Sequence, residues 1–306
     1  QYLSIFEEFG SYLKQGIVMQ PDDRSDIEPL LFFQTTLDDN PENYHTLEEY
    51  VERMQENQDD IYYVVADDYA SGKRSPHLDA FRQRGIEVLY FTHPVDSMLP
   101  MGLTEYKDHK LVSVDSADID LAEIGEAQEP ENVKEALEET SFESLTDRVK
   151  SVLGNRVSDV RQSKTLVGSP ARLVSGDESA NRYMYRINRL LDKDYELPVK
   201  TLELNPRHPL MHNLSGLINN QGDDNLIRAV VEQIFETALL QEGIHPDPSS
   251  MADRLTLLMQ AATGSTSNDL NFDAVQTVIA EPEKVEPAPT GFGDIEDLNF
   301  TEIDED

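Results

Sequence analysis

Few residues in this sequence have the types and spacing that chemistry requires. Residues 72–75 read Gly-Lys-Arg-Ser, which partly matches a loop that binds nucleotide phosphates. That loop needs a further glycine upstream of the Gly-Lys pair and a strand that ends directly in it, and both are missing. The chain also lacks the Gly-x-Gly-x-x-Gly turn that brings backbone amides close to a pyrophosphate. We therefore expect no nucleotide site here.

The histidines offer a second possibility, because His208 and His212 have a spacing that can place two imidazoles on one metal ion. However, His208 precedes Pro209, and no nearby glutamate completes the metalloprotease pattern. The preferred interpretation is a histidine that caps a helix at 208 and a surface histidine at 212. The sequence thus predicts no catalytic residue, no metal site and no cofactor-binding residue in this segment.

The composition argues against several classes of function, namely nucleic-acid binding, membrane insertion and cysteine chemistry. The 306 residues include 25 Lys and Arg against 60 Asp and Glu, and the net charge of −35 makes contact with nucleic-acid phosphates costly. No stretch approaches the roughly 18 consecutive apolar residues that span a bilayer. We expect neither a nucleic acid nor a membrane as a partner. The absence of cysteine excludes disulfides and thiolate ligands, and 38% hydrophobic residues can build folded cores.

The charge is unevenly distributed along the chain. Residues 115–147 and 268–306 each hold 12 acids and one lysine, whereas residues 148–207 hold 12 Lys and Arg against seven acids. A locally cationic surface can attract acidic or poorly folded proteins. The alternative is that these charged side chains only solvate the exposed faces of helices.

The elements that would position a site alternate regularly in the first half. Thr46 followed by Glu49 is a capping-box signal for a helix. The order β-α-β-α-β favours a small parallel sheet with right-handed crossovers. We predict helices over 4–17, 46–54 and 75–84, a short buried segment over 27–33, and strands over 60–66, 86–92 and 110–114.

The second half indicates a further α+β domain. Pro209 fits the first turn of a helix, and Gly243 fits the end of one. Beyond residue 264 the chain is acidic and lacks periodicity, so we expect disorder there. We predict helices over 144–153, 178–193, 209–219, 224–242 and 251–262, and strands over 157–166, 171–175 and 199–204.

The fold class is therefore α/β and α+β: a small parallel α/β module, then an α+β domain that ends in a dimerising helix pair, then a disordered acidic tail. The predicted divisions are 1–45 for the helical end of an earlier domain, 46–128 for the α/β module with an acidic linker, 129–263 for the dimerisation domain and 264–306 for the tail.

A dimer is predicted from the apolar stripe along 224–242. The stripe is too wide to be covered by the short helix at 251–262 alone, so four helices from two chains would share a core. The predicted interface residues are Leu226, Ile227, Val230, Val231, Ile234, Phe235, Leu239, Leu255, Leu258 and Met259.

The helix predicted at 178–193 has one apolar face opposite four basic residues. That face is either ordinary core or a surface left open to grip exposed hydrophobic segments of other proteins, and flexible methionine suits the second role. The residues concerned are Tyr183, Met184, Ile187, Leu190 and Leu191.

Nine short blocks follow one another along the chain: Glu7–Gly10, Leu47–Met54, Asp60–Tyr63, Gly85–Tyr90, His93–Asp96, Lys110–Val114, Ser169–Pro170, Leu202–Pro206 and Phe235–Leu240. This ordered series resembles the ninety-kilodalton heat-shock chaperone family in its bacterial form, over residues 4 to about 262. The sequence departs from the family at residues 167–168, where an acidic residue is usual, and in its long acidic tail.

The resemblance implies that the chain comprises the end of the middle domain and the C-terminal dimerisation domain. It also implies that this segment lacks the family's N-terminal lobe, in which ATP and Mg²⁺ would act, so that it binds no cofactor and hydrolyses no ATP by itself. Finally, it implies a cytoplasmic homodimer that binds unfolded or partly folded client proteins, with the apolar face of 178–193 in contact with clients.

Two other hypotheses remain. A small-molecule α/β enzyme with a dimerising tail would need a pocket at the C-terminal ends of the strands at 61–66 and 86–92. The missing glycine-rich turn argues against it. A purely structural dimer would differ from a chaperone only in not binding unfolded chains.

Overall fold

The computed structural model of the chain describes residues 2–20, 23–116, 119–128, 134–175, 197–265, 270–272 and 279. None of the helices in these ranges is long and apolar enough to cross a bilayer.

The first half folds around a five-stranded sheet. Its helices and strands are, in chain order, α1 (Tyr2–Met19), α2 (Arg24–Ile27), β1 (Gln34–Thr35), α3 (Leu47–Glu52), β2 (Ile61–Val65), α4 (Tyr69–Lys73), α5 (Asp79–Gln83), β3 (Leu89–Phe91), α6 (Leu99–Gly102), β4 (Glu105–Tyr106) and β5 (His109–Ser113). The sheet order is β1-β3-β2-β5-β4. The central strands β3, β2 and β5 are parallel, as predicted, but β1 and β4 pair antiparallel at the edges and make the sheet mixed.

Strand β2 is buried on both faces because its residues are almost all large and apolar. Successive side chains point to opposite faces of a strand. Ile61 and Tyr63 therefore enter one core, whereas Tyr62 and Val64 enter the other.

The first of these cores is closed by α1 and the segment before β1. Phe6, Ile17 and Phe33 belong to the same hydrophobic cluster as Ile61. The division predicted between residues 45 and 46 thus runs through one continuous core.

Local signals place the helix ends of this module. The Glu49 amide donates to Oγ1 of Thr46 at 3.2 Å, and the Thr46 amide donates to Oε2 of Glu49 at 2.8 Å, which confirms the capping box of α3. The helix predicted at 75–84 is instead a 3₁₀ turn over Pro76–Leu78 followed by α5. Gly85 follows α5 with φ +63°, a backbone conformation that favours glycine at the end of a helix.

The second half is an α+β domain, as predicted. Its elements are α7 (Glu139–Leu153), β6 (Val157–Gln162), β7 (Ala171–Val174), β8 (Lys200–Leu204), α8 (Pro209–Asn219), α9 (Asp224–Gln241) and α10 (Met251–Ala262). The sheet order is β6-β8-β7, with β6 parallel and β7 antiparallel to β8.

The apolar stripe of α9 is covered largely within the chain. Val231, Phe235 and Leu239 are buried in one cluster with residues of α7, α8 and the sheet. The width of the stripe, from which a dimer was inferred, is therefore explained by packing against α7, α8 and β7 as well as α10.

Three described apolar residues of the acidic tail pack on this domain, within the segment that the sequence predicts to be disordered. Leu270 is buried beside Ala229 and Leu257, with Phe272 partly buried next to them. Ile279 is buried in the large cluster of the domain. Apolar side chains within the acidic sequence account for this difference.

Candidate functional site

The Gly-Lys-Arg-Ser segment is accounted for by packing and by a surface ion pair. Gly72 lies in α4, where an added Cβ would come within 3.0 Å of Cδ1 of Tyr90, so glycine allows the helix to approach the sheet. Lys73 Nζ lies 2.6 Å from Oδ1 of Asp39. These contacts give the segment a structural role.

The two spaced histidines occupy the places that the preferred interpretation assigned to them. His208 precedes α8, and its Nδ1 accepts a hydrogen bond from the Leu210 amide at 3.1 Å. Burial lowers the pKa of His208, which suits an accepting neutral ring. His212 lies on the surface, with Nε2 3.0 Å from the carbonyl oxygen of Glu135. In the described ranges, no three His, Asp or Glu side chains form a group that could hold a metal ion.

A small cavity lies where the α/β module meets the α+β domain. It is lined by the C-terminal ends of β2 and β5, by His77, and by Lys200 and Glu242 from the other domain. Its volume of about 40 Å³ can hold a few water molecules. Substrate pockets usually enclose about 300–1,000 Å³, so this cavity does not favour the small-molecule enzyme.

Buried charges beside this cavity join the two halves of the chain. His77 Nε2 lies 2.5 Å from Oε1 of Glu242, and Lys200 Nζ lies 2.8 Å from Oε2 of the same carboxylate. Burial raises the pKa of the Glu242 carboxyl, but the charges of Lys200 and His77 and their hydrogen bonds outweigh burial and hold the pKa well below its usual range. Glu242 is therefore a carboxylate anion held by the Lys200 ammonium group and by the contact with His77 Nε2.

A second contact joins the same halves through Asp79. Its Oδ2 accepts hydrogen bonds from three successive amides, those of Val167, Gly168 and Ser169, at 3.2, 2.9 and 3.0 Å. Val167 and Gly168 are the two positions at which the sequence departs from the acidic residue usual in the family that the chain resembles. The carboxylate of one domain thus fixes a loop of the other.

Three exposed methionines lie where α1 meets α6, and we call Met19, Met98 and Met101 the methionine surface. Their exposed fractions are 69%, 38% and 54%. An added Cβ on Gly102 would lie 2.6 Å from the Ile17 carbonyl oxygen, so α6 rests directly on the end of α1. This surface is not among the sites predicted from the sequence, although Met98 and Met101 lie on either side of Pro100.

A buried ion pair holds the methionine surface in place. Lys14 Nζ of α1 lies 2.8 Å from Oδ1 of Asp96, and Oδ2 of Asp96 accepts the His93 amide at 3.0 Å. Lys14 also stands over the ring of Phe33, 5.0 Å from its centroid. The turn before α6 is thereby anchored to α1.

The structure separates the predicted interface residues into three groups by burial. Half of them are buried inside the single chain: Ile227, Val231, Ile234, Phe235 and Leu239. Leu226, Val230 and Leu258 are partly buried. Leu255 and Met259 are 43% and 60% exposed and lie one turn apart on the outer face of α10.

The inner face of α10 is fixed to α9 by buried polar groups. Arg254 forms an ion pair with Glu236, and His245 Nε2 lies 3.2 Å from Oε2 of the same carboxylate. The outer face of α10 is therefore held in a defined orientation.

The predicted client-binding residues Tyr183, Met184, Ile187, Leu190 and Leu191 lie outside the described residues. Their role stays a prediction.

Comparison with known proteins gives consistent matches. The model of the Hsp90 protein family matches residues 1–289. The chain is 36% identical to the chaperone protein HtpG of Oleidesulfovibrio alaskensis over 239 residues, which is 77% of this chain and 38% of that protein. It is 37% identical to HtpG of Shewanella frigidimarina over 251 residues (82% and 38%) and 36% identical to HtpG of Chlorobaculum tepidum over 268 residues (87% and 42%).

The chain spans about two fifths of the length of these curated relatives. The family match nevertheless covers nearly all residues of this chain and includes both packed halves and the junction between them. By sequence, this chain belongs to the Hsp90 family.

Proposed function

We propose that this chain is the client-binding and dimerising part of a chaperone. The observation that carries the proposal is the methionine surface, because a rigidly anchored segment presents three apolar side chains to solvent. Methionine is flexible and polarisable and adapts to many shapes, as a surface that binds diverse unfolded segments requires. Membership of a chaperone family supports the same conclusion.

The outer face of α10 supports a homodimer. Leu255 and Met259 are exposed there, and Leu240 at the end of α9 is exposed as well. A two-fold axis would bring the same face of two chains together and bury these side chains. The interface we propose is therefore narrower than the one inferred from the stripe.

The remaining parts of the proposal follow from the family. An N-terminal lobe would supply ATP binding, Mg²⁺ and the conformational cycle, and the protein would act in the cytoplasm. The apolar face of 178–193 is a second candidate for contact with clients.

Aggregation of a client protein tests the proposal. The chain is mixed with an enzyme that aggregates on heating, and light scattering is followed over time. A chaperone segment lowers the scattering in proportion to its concentration. A purely structural dimer leaves the scattering unchanged, as does an albumin control at equal mass, and that result would refute the proposal.

A further inference from the structure

Leu270 and Phe272 of the tail lie in an apolar crevice between the last two helices. Leu270 is buried against Ala229 of α9 and Leu257 of α10. Leu258 and Ala261 of α10 are partly buried in the same cluster, as is Phe272. We call the surface formed by Ala229, Leu257, Leu258 and Ala261 the α9–α10 crevice. Its observed ligand is a leucine and a phenylalanine two residues apart.

The sequence of that ligand occurs twice in the tail. Residues 269–272 read Asp-Leu-Asn-Phe, and residues 297–300 read Asp-Leu-Asn-Phe again. The similarity continues at the next apolar position, because Val275 and Ile303 follow the two leucines at the same distance. The second copy therefore presents the same side chains in the same order as the segment that fills the crevice.

We propose that residues 297–300 are a second, alternative ligand of the α9–α10 crevice. The crevice recognises its ligand through apolar contacts with Leu270 and Phe272, and Leu298 and Phe300 can make the same contacts. Attachment to the same chain raises the local concentration of the second copy above that of a free peptide. The 24 residues between the two copies can extend to roughly 80 Å, so chain length permits the return.

Loop length sets the balance between the two copies. The loop from the end of α10 to Leu270 is about one fifth as long as the loop to Leu298. The free-energy cost of closing a loop rises as (3/2)RT times the logarithm of its length. The first copy should therefore occupy the crevice about tenfold more often. Removal of the first copy transfers the second into the crevice and leaves α10 covered.

Hydrogen exchange of the α10 backbone amides, measured on the full chain, tests whether the second copy can replace the first in the crevice. The variants are Leu270→Ser with Phe272→Ser, Leu298→Ser with Phe300→Ser, and all four changes together. We expect the α10 amides of the second-copy variant to exchange at the wild-type rate. Those of the first-copy variant should exchange about tenfold faster, and those of the fourfold variant faster still. If the first-copy variant exchanges as fast as the fourfold variant, the second copy does not bind and the proposal is wrong.

A labelled peptide gives an independent measurement on the fourfold variant, whose crevice lacks both ligands. A peptide with the sequence of residues 294–304 should bind this variant, and the same peptide with Leu298→Ser and Phe300→Ser should not. A peptide with the sequence of residues 267–277 is the positive control. Binding of the control peptide alone overturns the proposal, and failure of both peptides to bind shows that the crevice is not a docking site, which overturns it too.

Discussion

His77 and Glu242 form a buried contact of 2.5 Å between Nε2 and Oε1, although they are 165 residues apart in the chain. His77 belongs to the α/β module, and Glu242 follows α9 in the α+β domain. This contact and the hydrogen bonds that Asp79 accepts from three loop amides of the α+β domain fix the orientation of the two halves. The methionine surface and the outer face of α10 are therefore held in one framework.

The first prediction concerns the pH dependence of this contact. The pKa of Glu242 is depressed in the folded chain, so the carboxylate stabilises the fold above the unfolded glutamate pKa of about 4.3 and loses this effect as the pH falls below it. Glu242→Gln should lower the free energy of unfolding at neutral pH by roughly 3–5 kcal/mol, because buried Lys200 loses its nearer carboxylate and keeps only Asp115, whose Oδ2 is 3.9 Å away. Urea unfolding of both proteins measures the difference.

Below about pH 4 the difference between wild type and Glu242→Gln should shrink progressively, because the unfolded wild-type chain binds a proton at Glu242 at a pH where the folded chain still keeps its carboxylate. Glu143→Gln, at an exposed position, is the matched control and should differ little from wild type at any pH. A Glu242→Gln penalty that stays constant into strong acid would contradict this account.

The second prediction concerns Asp79. Asp79→Ala leaves the amides of Val167, Gly168 and Ser169 without their acceptor, at a cost of about 1–3 kcal/mol. Hydrogen exchange at these three amides should accelerate by about tenfold or more. Asp79→Asn keeps an acceptor oxygen and should restore most of the protection. Equal exchange in wild type and Asp79→Ala would show that the contact does not hold the loop.

The third prediction separates the fold of the α+β domain from its dimerisation. Leu255→Arg with Met259→Arg places charges on an exposed face, so the chain should stay folded and become monomeric. Val231→Arg places a charge in the core of the single chain, so it should unfold the domain. Circular dichroism and light scattering after size exclusion measure both properties. A Leu255→Arg, Met259→Arg chain that keeps its dimer mass would place the interface elsewhere.

Local signals explain which parts of the fold were predictable. The capping box of Thr46 and Glu49 and the glycines that follow α5 and α9 act within a few residues, so the sequence alone located these helix ends. Strands β1 and β4 are two residues long and too short to show a periodicity, so the sequence indicates only the parallel strands of the sheet.

Features that depend on long-range packing could not be predicted from the sequence. The stripe on α9 shows how much surface must be covered, but not whether α7, β7 or a second chain covers it. The pairs His77–Glu242 and Lys14–Asp96 join residues 165 and 82 positions apart, and no local pattern connects them. The methionine surface depends on the placement of α6 on α1, which only the folded chain reveals.

We claim that non-native proteins bind at the methionine surface. Suppression of client aggregation by the variant Met98→Ser with Met101→Ser is the measurement that decides this. Both side chains are half-exposed, so the fold and the dimer should be unchanged. Loss of their apolar contact should weaken client binding by about 1.4 kcal/mol, or tenfold in Kd. Met211→Ser, a buried methionine, controls for loss of stability. Light scattering should show weaker suppression by the double variant at an unchanged melting temperature and mass; full suppression by that variant would contradict the claim.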